Sequence, residues 1–154
     1  MPKKPTPADA TLILQLYDLR REAELRKARN WWFAEFWPET AEDFLKVAEA
    51  IGTPENNWLR QVPSYWELAA SLVLHGTVNE ALFLEPAASG EMFFIFAKLH
   101  PFLKDLREKM HNPGMLANVE KVITKSKAGR ERLQVIEQRL AARRKEMREA
   151  GGRM

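Results

Sequence analysis

The chain has 154 residues, of which 45% are hydrophobic and 29% charged, so it can bury one core and cover it with polar surface. It contains no cysteine, which excludes disulfides, thiolate zinc sites and a cysteine nucleophile. Its longest charge-free stretch, residues 68–79, is shorter than the roughly 20 residues of a membrane-spanning helix. The net charge of +3 is uneven, because residues 121–154 contain 11 Lys and Arg and 4 Glu, whereas residues 1–120 contain 13 basic and 17 acidic residues. We therefore expect a soluble, cytoplasmic protein with an acidic body and a basic C-terminal segment.

The N-terminal part is predicted to form one long helix that ends in an aromatic cluster. Thr6 is a favourable N-cap and Pro7 suits the first helical turn, while Pro38 ends the helix by moving the preceding residue out of the α region. The cluster reads Trp31-Trp32-Phe33-Ala34-Glu35-Phe36-Trp37. On an α-helical wheel all of its aromatic residues except Trp31 share one face, which predicts packing in the core. A hydrophobic groove or a partner contact is the alternative.

Capping patterns predict four shorter helices in the middle of the chain. Residues 40–52 begin with a Thr-Ala-Glu-Asp capping box and end at a glycine. A short helix follows in residues 53–63, where proline closes or bends it. Residues 64–75 begin with a Ser-Tyr-Trp-Glu box, and residues 77–84 with a Thr-Val-Asn-Glu box.

The densest apolar segment, residues 91–110, is predicted to be the central helix. It is apolar on nearly all sides, which is typical of a helix surrounded by others, and Pro101 is expected to bend it because a mid-helix proline removes a hydrogen bond. Residues 116–126 are predicted to form a further helix. No alternating strand pattern occurs in the sequence, so the predicted fold is all-α: an irregular bundle of six to seven helices in a single domain, residues 1–154.

Candidate catalytic and metal-binding residues are few. His100 lies on the central helix, where it could act as a base, but no partner can be named for it. Glu108 and His111 have the Glu-x-x-His spacing of carboxylate di-iron bundles, although such a site needs a second pair and two more glutamates. Phosphate-binding loops, nucleophile elbows and zinc-protease motifs are missing from the sequence. The sequence therefore predicts no catalytic, cofactor or metal site and favours a non-enzymatic function.

The basic C-terminal helix, residues 127–154, is the most interpretable feature, and it either packs along the body or projects from it. A stripe at heptad-like spacing is predicted to drive association, and it consists of Leu133, Ile136, Leu140 and Met147. A basic patch could contact phosphate groups, and it consists of Arg139, Arg143, Arg144 and Arg148. Packing of the helix on its own domain is the third interpretation, and the residues alone leave all three open.

The predicted function is that of a cytoplasmic interaction module that self-associates or binds another protein through the C-terminal helix. The alternative is an auxiliary, nonspecific nucleic-acid binder that uses the basic patch. No helix-turn-helix with a polar recognition helix is recognisable, and an acidic body repels phosphate, which weakens this alternative. Neither function involves a cofactor or a membrane.

Overall fold

The computed structural model describes residues 3–152, and every regular element among them is helical. In chain order the elements are α1 (Pro7–Leu19), α2 (Ala23–Asn30), a π turn (Trp31–Glu35), α3 (Ala41–Glu49), α4 (Pro54–Leu74), α5 (Glu80–Phe83), α6 (Pro86–Leu99), a 3₁₀ turn (His100–Phe102), α7 (Leu103–Lys109), α8 (Ala117–Thr124) and α9 (Lys127–Gly152). The all-α prediction is confirmed. Six to seven helices is an undercount, because this range holds eight α-helices of seven or more residues, besides the four-residue α5.

The long N-terminal helix of the prediction is interrupted directly before α2. α1 begins with Thr6 as its N-cap, as predicted, and the cap is a reciprocal box in which the Asp9 N–H donates to Thr6 Oγ1 and the Thr6 N–H donates to Asp9 Oδ2. Glu22 then leaves the helical conformation, and its carboxylate accepts hydrogen bonds from the N–H groups of Glu24 and Leu25. Because a helix N-terminus leaves these N–H groups without intrahelical partners, Glu22 starts a new helix.

The aromatic cluster winds as a π turn, which overturns the predicted assignment of its faces. The Phe36 N–H donates to the Trp31 carbonyl, five residues earlier, at 2.9 Å, so the side chains do not follow the spacing of an α-helical wheel. Trp31 is buried and stacks on Phe36 with ring centroids 4.4 Å apart. Phe33 is 67% exposed. The prediction that placed Phe33 in the core and Trp31 off it is therefore wrong for both residues.

α4 is one continuous helix where two were predicted. Pro63 is buried inside it, and residues 64–67 start no new helix. Glu67, expected to complete a local capping box, instead accepts hydrogen bonds from the N–H groups of Asn118 (2.8 Å) and Val119 (3.2 Å). These groups belong to the first turn of α8, so Glu67 caps a helix that begins about 50 residues later in the chain.

The predicted central helix, residues 91–110, comprises α6, the 3₁₀ turn and α7. α6 begins earlier than predicted because Pro86 suits the first helical turn. Pro101 interrupts the segment rather than bending it, since it has no N–H to donate to an α-helical carbonyl. α6 nevertheless supplies the centre of the core, where the following side chains are at most 2% exposed: Met92, Phe93, Ile95, Phe96, Ala97 and Leu99.

The C-terminal helix α9 packs against α6 and α8. Leu133 and Leu140 are each 5% exposed, and Gly129 lies so close to α8 that an added Cβ would stand 2.0 Å from the Ile123 carbonyl oxygen. Of the predicted helix 127–154, residues 153–154 lie outside the described part of the chain. Among residues 3–152, no helix is both long enough and apolar enough to cross a membrane.

Candidate functional site: a groove between α9 and the aromatic turn

A groove of about 780 Å³ lies between α9, α6 and the segment around the π turn. We refer to it as the arginine groove. Its lining consists of Phe33, Ala34, Trp37, Pro86, Gly90, Phe94, Arg132, Val135, Ile136, Arg139, Leu140 and Arg143. The volume falls within the range of roughly 300–1,000 Å³ that is usual for ligand pockets, and the lining combines apolar side chains with cations.

The aromatic wall of the groove depends on the π turn. The turn directs Phe33 outward, where its ring lies 5.4 Å from that of Phe94, measured between centroids. Trp37 meets Phe94 edge to face at 6.1 Å. On the opposite wall, Val135 of α9 is 45% exposed. The groove therefore presents apolar surface to solvent, which in a folded protein is typical of a contact site.

Three arginines of α9 provide all the charge of the lining. Arg132 is the most constrained of them, because its guanidinium carbon lies 4.0 Å from the centre of the Phe93 ring and its Nη1 donates to the Leu84 carbonyl at 2.8 Å. Arg143 lies 3.5 Å from the Glu146 carboxylate, and both side chains are exposed. Within residues 3–152, Arg132 and Arg139 form no ion pair. The groove is thus suited to an anionic partner.

A buried lysine, Lys98, lies behind the aromatic wall of the groove. Lys98 is completely buried, and its ammonium donates to the carbonyls of Trp32 and Phe36, the latter at 2.6 Å. The same ammonium lies 3.8 Å from the centre of the Trp37 ring. Burial, with a smaller contribution from the like charge of Arg144, lowers the pKa of Lys98 from its ordinary value of 10.5 to about 7. The lysine binds carbonyls of the aromatic segment and so fixes the wall of the groove.

The predicted association stripe does not form one exposed surface. Leu133 and Leu140 are buried in the core, although Leu140 also reaches the floor of the groove. Ile136 is half-buried and lines the groove, whereas Met147 is 37% exposed and lies outside it. The stripe therefore serves mainly to hold α9 on its own chain.

The predicted basic patch divides into two pairs. Arg139 and Arg143 line the groove. Arg144 instead donates to the carbonyls of Pro38 (3.0 Å) and Lys98 (3.3 Å), and burial lowers its pKa. Arg148 Nε donates to the Glu39 carboxylate at 3.0 Å. The second pair fastens α9 to the body, so the four arginines do not act as one surface.

The histidines singled out in the sequence lie apart from the groove. His100 pairs with Glu137 of α9 at 2.5 Å and stacks on Phe96. Glu108 and His111 are exposed near the end of α7. In the described part of the chain, no group of three His, Asp or Glu side chains is arranged to hold a metal ion.

Sequence reasoning missed Phe94 and Lys98 as determinants of this site, and it assigned Phe33 to the core with a groove only as the alternative. The position of Phe33 follows from the π turn, for which the cluster carries no recognised signal. Lys98 did provide a signal in the sequence, because it lies inside the apolar run of α6. A lysine in a helix that is packed on all sides needs a partner for its charge.

Comparisons with known proteins identify the family and leave its role open. A family model described as "Domain of unknown function (DUF4760)" matches residues 5–126. No curated protein matches the chain, and no solved structure does. The match ends directly before α9, so it includes the aromatic wall of the groove but none of its arginines. Because the matched residues make up most of the sequence, the chain belongs to the DUF4760 family of domains of unknown function.

Proposed function

We propose that this protein is a self-associating interaction module in which α1 of one copy lies in the arginine groove of another. The observation that carries the proposal is the complementarity of two surfaces of the same chain. One is a groove with apolar walls and three arginines, and the other is a helix with exposed apolar side chains whose charges are all acidic. Docking of an amphipathic helix into a hydrophobic groove is a recurring mode of protein recognition.

α1 has the properties that such a groove requires. None of its side chains is fully buried. Ala10, Leu14 and Tyr17 share its outer face at i, i+4 and i+7, and Leu14 and Tyr17 are 68% and 53% exposed. This is the spacing of anchor residues in helix-in-groove complexes. Of the two charged residues of α1, Asp9 is engaged by the N–H groups of Thr6 and Asn79, whereas the exposed Asp18 adjoins the anchor Tyr17, where it can face an arginine of the groove.

Charge favours a head-to-tail contact over a symmetric one. If two grooves faced each other, three arginines of one copy would oppose those of the other, and like charges across an interface are repulsive. A symmetric contact through the predicted stripe is disfavoured as well, because Leu133 and Leu140 pack into their own core. Head-to-tail contacts either close into a ring or continue as a filament. In both cases the fraction of associated chains should increase with protein concentration.

The proposal can be tested by disabling each surface separately. Leu14→Arg places a cation on the docking face of α1, and Val135→Glu places a carboxylate in the apolar wall of the groove. Both side chains are well exposed, so the fold should tolerate the changes. Analytical ultracentrifugation of each variant alone should give monomers. An equimolar mixture should give a heterodimer, because one partner keeps an intact groove and the other an intact α1.

The matched control is Leu68→Arg, which changes a 60% exposed leucine on α4, away from both surfaces. It should associate like the wild type, and the association of both should weaken with salt because the contact includes exposed charges. A wild-type chain that stays monomeric at all concentrations would refute the proposal. So would a mixture of the two variants that remains monomeric while the wild type associates.

A second candidate, nonspecific binding of single-stranded nucleic acid, has one observation in its favour. Phe33 is an exposed ring beside Arg139 and Arg143, and such proteins combine stacking rings with a basic channel. Arg144 and Arg148 are already engaged within the chain, which makes this candidate the weaker of the two. A labelled single-stranded oligonucleotide that the wild type retards at low salt, and that Arg139→Glu fails to retard, would support it. No retardation at low salt would dismiss it.

A further inference from the structure

Arg20, at the end of α1, is a buried cation in an apolar setting. Its side chain is only 7% exposed. The guanidinium carbon lies 4.8 Å from the centre of the Tyr17 ring and 5.4 Å from that of Trp66. Stacking on aromatic faces stabilises a guanidinium, yet it supplies no acceptor for the N–H groups.

Among the described residues, no acidic side chain forms an ion pair with Arg20. The Arg20 guanidinium also donates no hydrogen bond to any of these residues. The carboxylate of Glu91, on the neighbouring helix α6, is already engaged. It accepts from Arg29 Nε at 2.6 Å and from Trp66 Nε1 at 3.0 Å. Among the described residues, Arg144 Nε is the one fully enclosed side-chain nitrogen or oxygen without a partner, so the Arg20 N–H groups still reach the adjoining cavity or solvent, where an anion can accept from them.

Arg20 lines a cavity of about 260 Å³ between α1, α4, α5 and the start of α6. The other lining residues are predominantly apolar, among them Ile13, Leu16 and Phe83, and the exposed Leu14 and Tyr17 lie at its mouth. An apolar protein cavity of roughly 150 Å³ holds a benzene ring. This cavity therefore has room for a ring, or a branched aliphatic group of similar size, together with a carboxylate.

We propose that this cavity binds a small monocarboxylate with an aromatic or branched aliphatic body, whose carboxylate pairs with Arg20. The planar guanidinium can donate two parallel hydrogen bonds to a carboxylate, and the apolar body would lie against the side chains of α1 and α4. Glu85, an exposed acid of the lining, disfavours a second negative charge on the ligand. The site is independent of the arginine groove, with which it shares no lining residue.

The test is isothermal titration of the full chain with phenylacetate, hydrocinnamate and isovalerate, each beside its neutral amide. The Val135→Glu variant should be used, because its altered groove leaves the mouth of the cavity on α1 uncovered by a second copy. At least one acid should bind at least about tenfold more tightly than its amide, because only the acid can form an ion pair with Arg20. Arg20→Gln should lose this preference, and Arg20→Lys should keep part of it.

The matched control is Arg21→Gln, which removes an exposed arginine one residue away and should leave the titrations unchanged. An acid and amide that bind equally well would overturn the proposal, and so would the absence of heat with all three acids at millimolar concentrations. If Arg20→Gln does not fold, the comparison of acid with amide on the unaltered cavity still decides the question.

Discussion

The burial of Lys98 should make the free energy of unfolding depend on pH. In the unfolded chain its ammonium has a pKa of 10.5, and burial in the folded chain lowers the pKa to about 7. Between these two values the unfolded state binds a proton that the folded state does not, so the free energy of unfolding should increase with pH. Below pH 7 both states are protonated, and this contribution no longer changes with pH.

The two pKa values set the size of the effect. Linkage gives an increase of about 2 kcal/mol in the free energy of unfolding between about pH 7 and about pH 9. The hydrogen bonds to Trp32 and Phe36 and the contact with Trp37 favour the charged ammonium and oppose the effect of burial. About 2 kcal/mol is therefore the upper limit for the increase in the free energy of unfolding over this pH interval.

The assay is urea unfolding of the wild type, Lys98→Met and Lys98→Arg across this pH range. Neither variant has a group at position 98 that titrates there, so both should lack the part of the pH dependence that belongs to the lysine. The exposed Lys104→Met serves as the control and should follow the wild type. The readout is the difference between the pH profiles, because Lys98→Met also leaves two buried carbonyls without a donor and changes stability at every pH.

Parallel profiles for the wild type and both Lys98 variants would refute this reasoning. They would mean that the ammonium stays protonated in the folded chain throughout the range, with its carbonyl bonds outweighing the desolvation. A steeper slope in Lys98→Met than in the wild type would contradict the predicted sign.

Two further predictions concern the attachment of the C-terminal helices. Gly129→Ala should destabilise the chain by about 1–3 kcal/mol, because the added Cβ would overlap the Ile123 carbonyl oxygen. A Cβ added at Gly151 in the same helix would meet no atom within 4 Å, so Gly151→Ala should not lower the melting temperature. Equal melting temperatures for the two variants would show that α9 can move away from α8 without loss. Glu67→Ala should lower the free energy of unfolding by about 1–2 kcal/mol in urea titrations, since it removes two hydrogen bonds from the first turn of α8. An equal loss from the exposed Glu108→Ala would contradict this explanation.

Some helix starts could be predicted from capping partners that are close in sequence, but the box predicted at Thr77 does not form, because Asn79 caps α5 and Thr77 Oγ1 donates to the Leu72 carbonyl. Thr6 and Thr40 cap α1 and α3 as expected, because the side chain and the N–H that it binds lie three residues apart. Glu67 has the same local pattern but binds N–H groups about 50 residues away. The competition between a near and a distant partner depends on the packing of α4 against α8, which a local pattern does not contain.

The groove was less accessible to sequence reasoning because each of its walls depends on tertiary structure. The apolar spacing of α9 indicated a buried face, but which surface would cover it could not be deduced. Arg143 and Arg144 illustrate the difficulty, because they are neighbours in sequence and yet one lines the groove while the other binds carbonyls of Pro38 and Lys98. On the aromatic wall, one hydrogen bond of the π type decides that Phe33 is outside.

The boundary of the family match, at Ser126, separates the groove into two halves of different character. The matched residues supply an uncharged wall that is continuous with the core, whereas α9 supplies every charged side chain of the lining. Because Arg139 and Arg143 are exposed, the electrostatic preference of the site can change through substitutions at these two positions without disturbing the packing of the domain beneath them. The residues that set the charge preference of the groove can thus vary while the residues that pack the core stay the same.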